Sequence, residues 1–156
     1  MVKKGCWLFV AALGLFSACQ NKKDCVQTFP DGTPHRKYVT IGDKIEGEML
    51  DYSREGKLLS RKFFKTDKQE GKTEYFFESG KLREVQYYQD GLRTQFDTVF
   101  LENGQISNII QYDAGKINGS FISFDSSGTK IFHAIYKADQ LEKVLTSLKD
   151  VQNQKK

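Results

Sequence analysis

Few side chains in this sequence could carry a reaction. They are His35 and His133, three cysteines, and carboxylates such as Glu74, Glu78, Glu84 and Glu102. An imidazole would serve as general base, a thiolate as nucleophile, and two facing carboxylates as acid and base. The spacing supports none of these. No Ser or Cys motif accompanies either histidine, and no G-x-S-x-G or H-E-x-x-H occurs. No C-x-x-C or Cys/His cluster offers a tetrahedral zinc site. His133 stands where Arg61, Val85 and Ile109 stand in earlier copies of a repeat, so it reads as a variable strand position. The carboxylates scatter over strands and turns, as on a solvated rim. The expectation is a protein that is not an enzyme and needs no cofactor and no metal.

The one position with a chemical address is Cys19. Lys3 and Lys4 precede an uncharged apolar run from Trp7 to Phe16, and Ser17 and Ala18 supply the small residues of a cleavage site. The run is too short to cross about 30 Å of hydrocarbon as a mature helix. Residues 1–18 are therefore expected to be a signal peptide. Leu15-Phe16-Ser17-Ala18-Cys19 resembles the lipobox of bacterial lipoproteins, with Phe16 in place of the usual aliphatic residue. The resemblance implies that Cys19 becomes the acylated first residue. With about 0.8 kcal/mol per buried methylene, several acyl chains make a lasting membrane anchor. Gln20 after the cysteine, in place of aspartate, implies by the same resemblance an outer-membrane address. Residues 19–28, polar and charged, read as a tether, with Cys25 as a lone thiol of no assigned role.

Removing Lys3 and Lys4 with the signal leaves 22 basic against 20 acidic residues, interspersed by sign. So even a balance excludes nucleic acid as an expected partner. With only 2 prolines and many β-branched and aromatic residues, the chain is not disordered.

The elements that position everything else come from a repeat. Gly56, Gly80, Gly104 and Gly128 recur every 24 residues. Four positions before each stands Tyr52, Phe76, Phe100 or Phe124, and eight after each stands Phe64, Tyr88, Tyr112 or Tyr136. Leu58, Leu82, Ile106 and, breaking the pattern, Lys130 follow two after. Gly47, Gly71 and Gly119 form a second series with Gln95 as its exception. Each unit reads as a β-hairpin. Arg54-Glu55-Gly56 and its copies make a three-residue loop in which glycine takes positive φ. That register pairs Phe76 with Leu82 and Phe100 with Ile106 across strands. Simple alternation then sends the later aromatic, eight after the glycine, to the same face.

The middle repeats also carry Tyr75, Phe77, Val85, Tyr87, Val99, Leu101 and Ile109. These exceed what a one-sided sheet requires, so something should cover them. Asp139–Gln152 reads as an amphipathic capping helix with Leu141, Val144, Leu145, Leu148 and Val151 on one stripe, and Asp139 with Glu142 resembles a capping box. Upstream, Phe29-Pro30-Asp31-Gly32-Thr33 with Tyr38 looks like a degenerate fifth copy forming the N-terminal edge. The expected organisation is a signal over 1–18, a tether over 19–28, repeats over 29–138, and a capping helix with tail over 139–156. The fold class is mainly β: an open, elongated antiparallel meander of four plus one degenerate 24-residue hairpins with that helix.

The unit G-x4-[FY]-x3-G-[KQ]-[LI]-x5-[YF], as in Gly71-Lys72…Phe76…Gly80-Lys81-Leu82…Tyr88, resembles the MORN-repeat variant found in proteins labelled YwqK-type antitoxins. The resemblance covers residues 29–138. It implies an elongated sheet that binds something along its surface: an immunity protein against a toxin, or an envelope scaffold. The central residues Tyr75, Phe77, Tyr87 and Leu101 are the expected protein-binding face. A glycan- or lipid-headgroup-binding lipoprotein, using the aromatic ladder for stacking, is the alternative.

Overall fold

The computed structural model describes residues 21–147, with Asp150 and Gln152 beyond them. Its strands are β1 (Lys22–Thr28), β2 (Pro34–Ile41), β3 (Lys44–Tyr52), β4 (Leu58–Lys65), β5 (Lys68–Gln69), β6 (Gly71–Phe76), β7 (Leu82–Gln89), β8 (Leu92–Phe100), β9 (Ile106–Asp113), β10 (Lys116–Phe124), β11 (Lys130–Lys137) and β12 (Gln140–Thr146). They form one antiparallel sheet in chain order, with β5 pairing β4 beside β6. Consecutive pairing follows from the short turns, which leave each strand no neighbour but the previous one.

Two turn types alternate. At one end lie the three-residue loops. Gly56 N–H donates to Ser53 O at 3.0 Å and Ser53 N–H to Lys57 O at 2.8 Å, a turn closed by a bulged pair. The same two bonds recur around Phe77, Leu101, Asp125 and Phe29. Positive φ of 76°, 82°, 87° and 80° at Gly56, Gly80, Gly104 and Gly128 agrees with the expected register. So do the pairs Tyr52–Leu58, Phe76–Leu82, Phe100–Ile106 and Phe124–Lys130. At the other end lie two-residue turns such as Asp90-Gly91 and Ala114-Gly115, with positive φ at both residues. Their second N–H groups reach back one unit: Asp67 to Ile45 O, Gly91 to Gln69 O, Gly115 to Arg93 O and Asp139 to Ile117 O. These bonds tie neighbouring hairpins together at that edge.

Simple alternation does not survive. Asp51 pairs Ser60 while Tyr52 pairs Leu58, which leaves Leu59 as an extra residue, and Arg83 and Ser107 are extra in the same way. Each bulge shifts the alternation by one. Leu82 and Tyr88 therefore point to opposite faces, and the single ladder expected from the sequence is two ladders. A second irregularity falls at the second series. Positive φ holds at Gly47, Gly71 and Gly119 and also at Gln95, where it is 59°. Pairing slips there by two residues, as between Ile45–Thr40 and Met49–Tyr38. At Gly71 the same two-residue slip separates β5 from β6.

Two expectations about the ends need correction. The stretch Gln140–Thr146 is strand β12, not the capping helix, and helical backbone among the described residues is confined to Asp150 and Gln152. Leu148 and Val151 lie outside the described residues. The repeat phase overrides the helical stripe. Ala138-Asp139 occupies the place of the Ala114-Gly115 turn, and the Asp139 carboxylate accepts the Ile117 N–H at 2.8 Å, so it caps the previous hairpin. The stretch read as a tether contains the edge strand β1, paired with β2 from Lys22 to Thr28. Pro30 sits in the first three-residue turn and Pro34 opens β2, so neither proline lies on the edge strand. Cys19 and the signal lie outside the described residues.

Candidate functional site

Residues paired across antiparallel strands share a face, so the register divides the sheet into two surfaces. One face carries Asp51, Ser60, Lys62, Thr73, Tyr75, Glu84, Gln86, Tyr88, Arg93, Asp97 and Tyr112. The other carries Phe63, Phe76, Leu82, Val85, Tyr87, Phe96, Phe100 and Ile106.

The first face is polar, and most of its hydrogen-bonding groups pair with one another. At its N-terminal end the Asp51 carboxylate takes Arg36 Nε at 2.5 Å, Ser60 Oγ at 2.7 Å and Lys62 Nζ at 2.8 Å. Burial works to raise its pKa, but those three donors outweigh it and hold the group at about 2. Next, the Tyr75 ring lies between Lys62 Nζ, 5.8 Å from its centroid, and the Arg83 guanidinium at 5.6 Å. Then comes a network centred on Arg93. It donates to Tyr88 Oη at 3.2 Å, to Tyr112 Oη at 3.2 Å and to Asp97 Oδ2 at 3.1 Å. Tyr88 donates to Gln86 Oε1 at 2.8 Å, and the Gln86 amide donates to Glu84. Burial alone would lower the Arg93 pKa, yet its bond to Tyr88 and the other contacts raise it, so it is a fixed cation. The C-terminal end is aromatic, with Phe121 edge-on to Phe132 and Tyr136. Thr73, Gln86, Ser60, Asp97, Met49 and Ala134, the most deeply buried side chains apart from Ser53 and Val85, belong to this face or its continuation. With most donors and acceptors paired and packed, Asp97 Oδ1 excepted, this surface from β3 to β9 is the interior of a one-layer protein.

The second face is apolar and open. Phe63 is 40 % exposed, Phe96 50 % and Ile106 37 %, and Leu92 at the turn edge is also exposed. Arg61 bridges Glu48 and Glu74 at its rim, and Lys37 lies over Tyr52. No second layer of described residues packs against it, because strand contacts run between sheet neighbours.

The residues singled out in the sequence are not brought together. Tyr75 is on the polar face and Tyr87, paired with Lys72, on the apolar one. Phe77 and Leu101 stand in three-residue turns, at the place Ser53 holds one or two repeats earlier. All four are half-buried, and among the described residues no helix covers them. Sequence reasoning missed Phe63 and Phe96 because their face depends on the bulges, which leave no composition signal. Of the histidines, His133 Nε2 lies 3.2 Å from Ser120 Oγ and His35 packs against Phe29 at 4.8 Å between centroids. The Cys25 thiol is half-buried near Thr40. Among the described residues no three His, Cys, Asp or Glu side chains gather as metal ligands.

Comparison with curated proteins gives no match. Residues 69–90, which run from the last residue of β5 through β6, the turn at Gly80 and β7, match the MORN repeat variant family. The chain thus carries a MORN repeat variant in the middle of a sheet whose other hairpins reproduce the same turns and bulges.

Proposed function

We propose that this chain is a non-enzymatic, lipid-anchored envelope protein that holds a protein partner on its apolar face, as an immunity protein would hold a toxin. The observation that carries the reading is the exposure of Phe63, Leu92, Phe96 and Ile106 on a sheet face that no other described residues cover. Exposed apolar clusters on a folded domain mark interaction sites, and aromatic anchors dominate such interfaces. Completing the burial of a half-exposed phenylalanine is worth about 1 kcal/mol, so several anchors together are needed to offset the cost of association.

The anchor fits this use. Only Gln20 and Asn21 separate Cys19 from β1. Once acylated, Cys19 would hold the edge of the sheet within about 10 Å of the bilayer surface, in the outer membrane if the Gln20 rule applies. The likeness of the repeat unit to YwqK-type antitoxins favours a toxin as partner over an envelope scaffold component. The Tyr88 and Tyr112 hydroxyls are committed to Arg93, which argues against the tyrosine ladder as a glycan platform.

The test is cross-linked capture from detergent-solubilised envelope, comparing the wild type with Phe63→Glu/Phe96→Glu. The reading expects a single protein in a stable 1:1 complex, lost at least tenfold in the double variant. Retention of that protein by the variant, or binding of saccharide in its place, contradicts the reading.

A further inference from the structure

Asp97 on β8 is only 3 % exposed, yet its carboxyl group is incompletely paired. Oδ2 accepts from Arg93, whereas Oδ1 meets no donor among the described residues. Beside it stands a second acid. Glu84 on β7 pairs with Val99, two residues along from Asp97 on the same face, so the two carboxyl groups are diagonal neighbours.

The donors around Asp97 Oδ1 make their hydrogen bonds elsewhere. From β7, Gln86 gives its amide to Glu84 and accepts from Tyr88. From β8, Arg93 is divided among Asp97, Tyr88 and Tyr112, the last on β9. From β6, Tyr75 faces the pair with Lys62 and Arg83 drawn to its ring, and Lys62 also serves Asp51. One cation, Arg93, thus stands against the buried Asp97 and the half-buried Glu84. An acidic oxygen whose neighbour is another carboxylate is satisfied by a proton held between them.

We propose that in mild acid Asp97 keeps a proton directed at Glu84 in the folded protein, forming a proton-dependent clasp between β7 and β8 at the centre of the sheet. When the proton leaves, two like charges remain in a packed site with one guanidinium. The electrostatics agree in direction. Burial first, and the charge of Glu84 second, push Asp97 up to about 7, against the partial offset of Arg93. A carboxyl group raised in the folded state adds stability that is fully present below its unfolded pKa of 3.8 and is lost as pH rises through about 7. The clasp therefore tightens the middle hairpins in mild acid and releases them above neutrality.

The experiment is a carboxyl carbon NMR titration of the intact mature protein from pH 4 to 9, with thermal melts of the wild type, Asp97→Asn and Glu84→Gln across the same range. Asp97 should titrate near pH 7 in the wild type and at lower pH in Glu84→Gln. Asparagine at 97 supplies the missing donor permanently, so the variant should gain on the wild type by about 5 °C or more between pH 5 and pH 8. If Asp97→Asn does not fold, the titrations of the wild type and Glu84→Gln decide alone. An Asp97 midpoint below pH 5, or one unmoved by Glu84→Gln, overturns the proposal. Parallel melting curves for the wild type and a folded Asp97→Asn overturn it equally.

Discussion

Gly71 and Gly119 hold the same place two repeats apart and differ in what surrounds them, which makes them a calibrated pair. Both have positive φ, 74° and 122°. A Cβ at Gly71 would meet nothing within 4 Å, whereas at Gly119 it would lie 2.2 Å from Gln111 Oε1 and 2.5 Å from Gln111 Cδ. Gly71→Ala therefore probes backbone conformation alone. The left-handed conformation costs an alanine about 1–2 kcal/mol, offset by roughly 0.4–1 kcal/mol from the stiffer unfolded chain, so the net loss is about 1 kcal/mol. Gly119→Ala carries at least that cost and must also evict Gln111, whose Oε1 accepts the Ser120 N–H at 3.3 Å. Losing that bond and repacking the amide adds about 1–2 kcal/mol. Urea unfolding of Gly71→Ala, Gly119→Ala, Gln111→Ala and the 111/119 double variant measures both terms. The double variant should cost about 1 kcal/mol less than the sum of its single changes, because Gln111→Ala removes the clash. Equal losses at 71 and 119, with no coupling to 111, would refute the reasoning.

Gln95 takes the glycine conformation of its series with an exposed side chain, so Gln95→Gly should stabilise the protein by about 0.5–1 kcal/mol in the same assay. Gly80→Val or Gly104→Val should cost about 1–3 kcal/mol, since a β-branched residue is forced to positive φ with no compensating contact. Asp51 is held at about 2 in the folded state against 3.8 when unperturbed. A lowered carboxyl pKa gives stability that is present above pH 3.8 and lost as pH falls through about 2. That loss is worth about 2 kcal/mol and should be absent from the acid melts of Asp51→Asn.

The turns were legible because glycine at a fixed period is a backbone demand written directly into residue type. Gly56, Gly80, Gly104 and Gly128 show positive φ, and the pairs Phe76–Leu82 and Phe100–Ile106 follow from it. The faces were not legible. A bulge one residue beyond Leu82 reverses every later side chain, and Arg83 carries no mark of being unpaired. That reversal sends Tyr75 and Tyr87 to opposite sides and leaves Phe63 and Phe96 open. The C-terminal error has another cause. Leu141, Val144 and Leu145 have helical spacing, but the turn at Ala138-Asp139 keeps the 24-residue phase without a glycine to announce it. The Arg93 network was invisible in the sequence because its members come from β7, β8 and β9, and only pairing assembles them.

The central claim is that one face of this sheet is closed upon itself while the other stands open for a partner. Residue-resolved oxidative footprinting of the monomeric mature protein tests it most directly. The account predicts fast modification of Phe63 and Phe96, slower modification of Tyr88 and Tyr112, and loss of the phenylalanine signal alone when a partner is bound. Phe63 and Phe96 protected in the free monomer, as slow as Tyr88 and Tyr112, would contradict it.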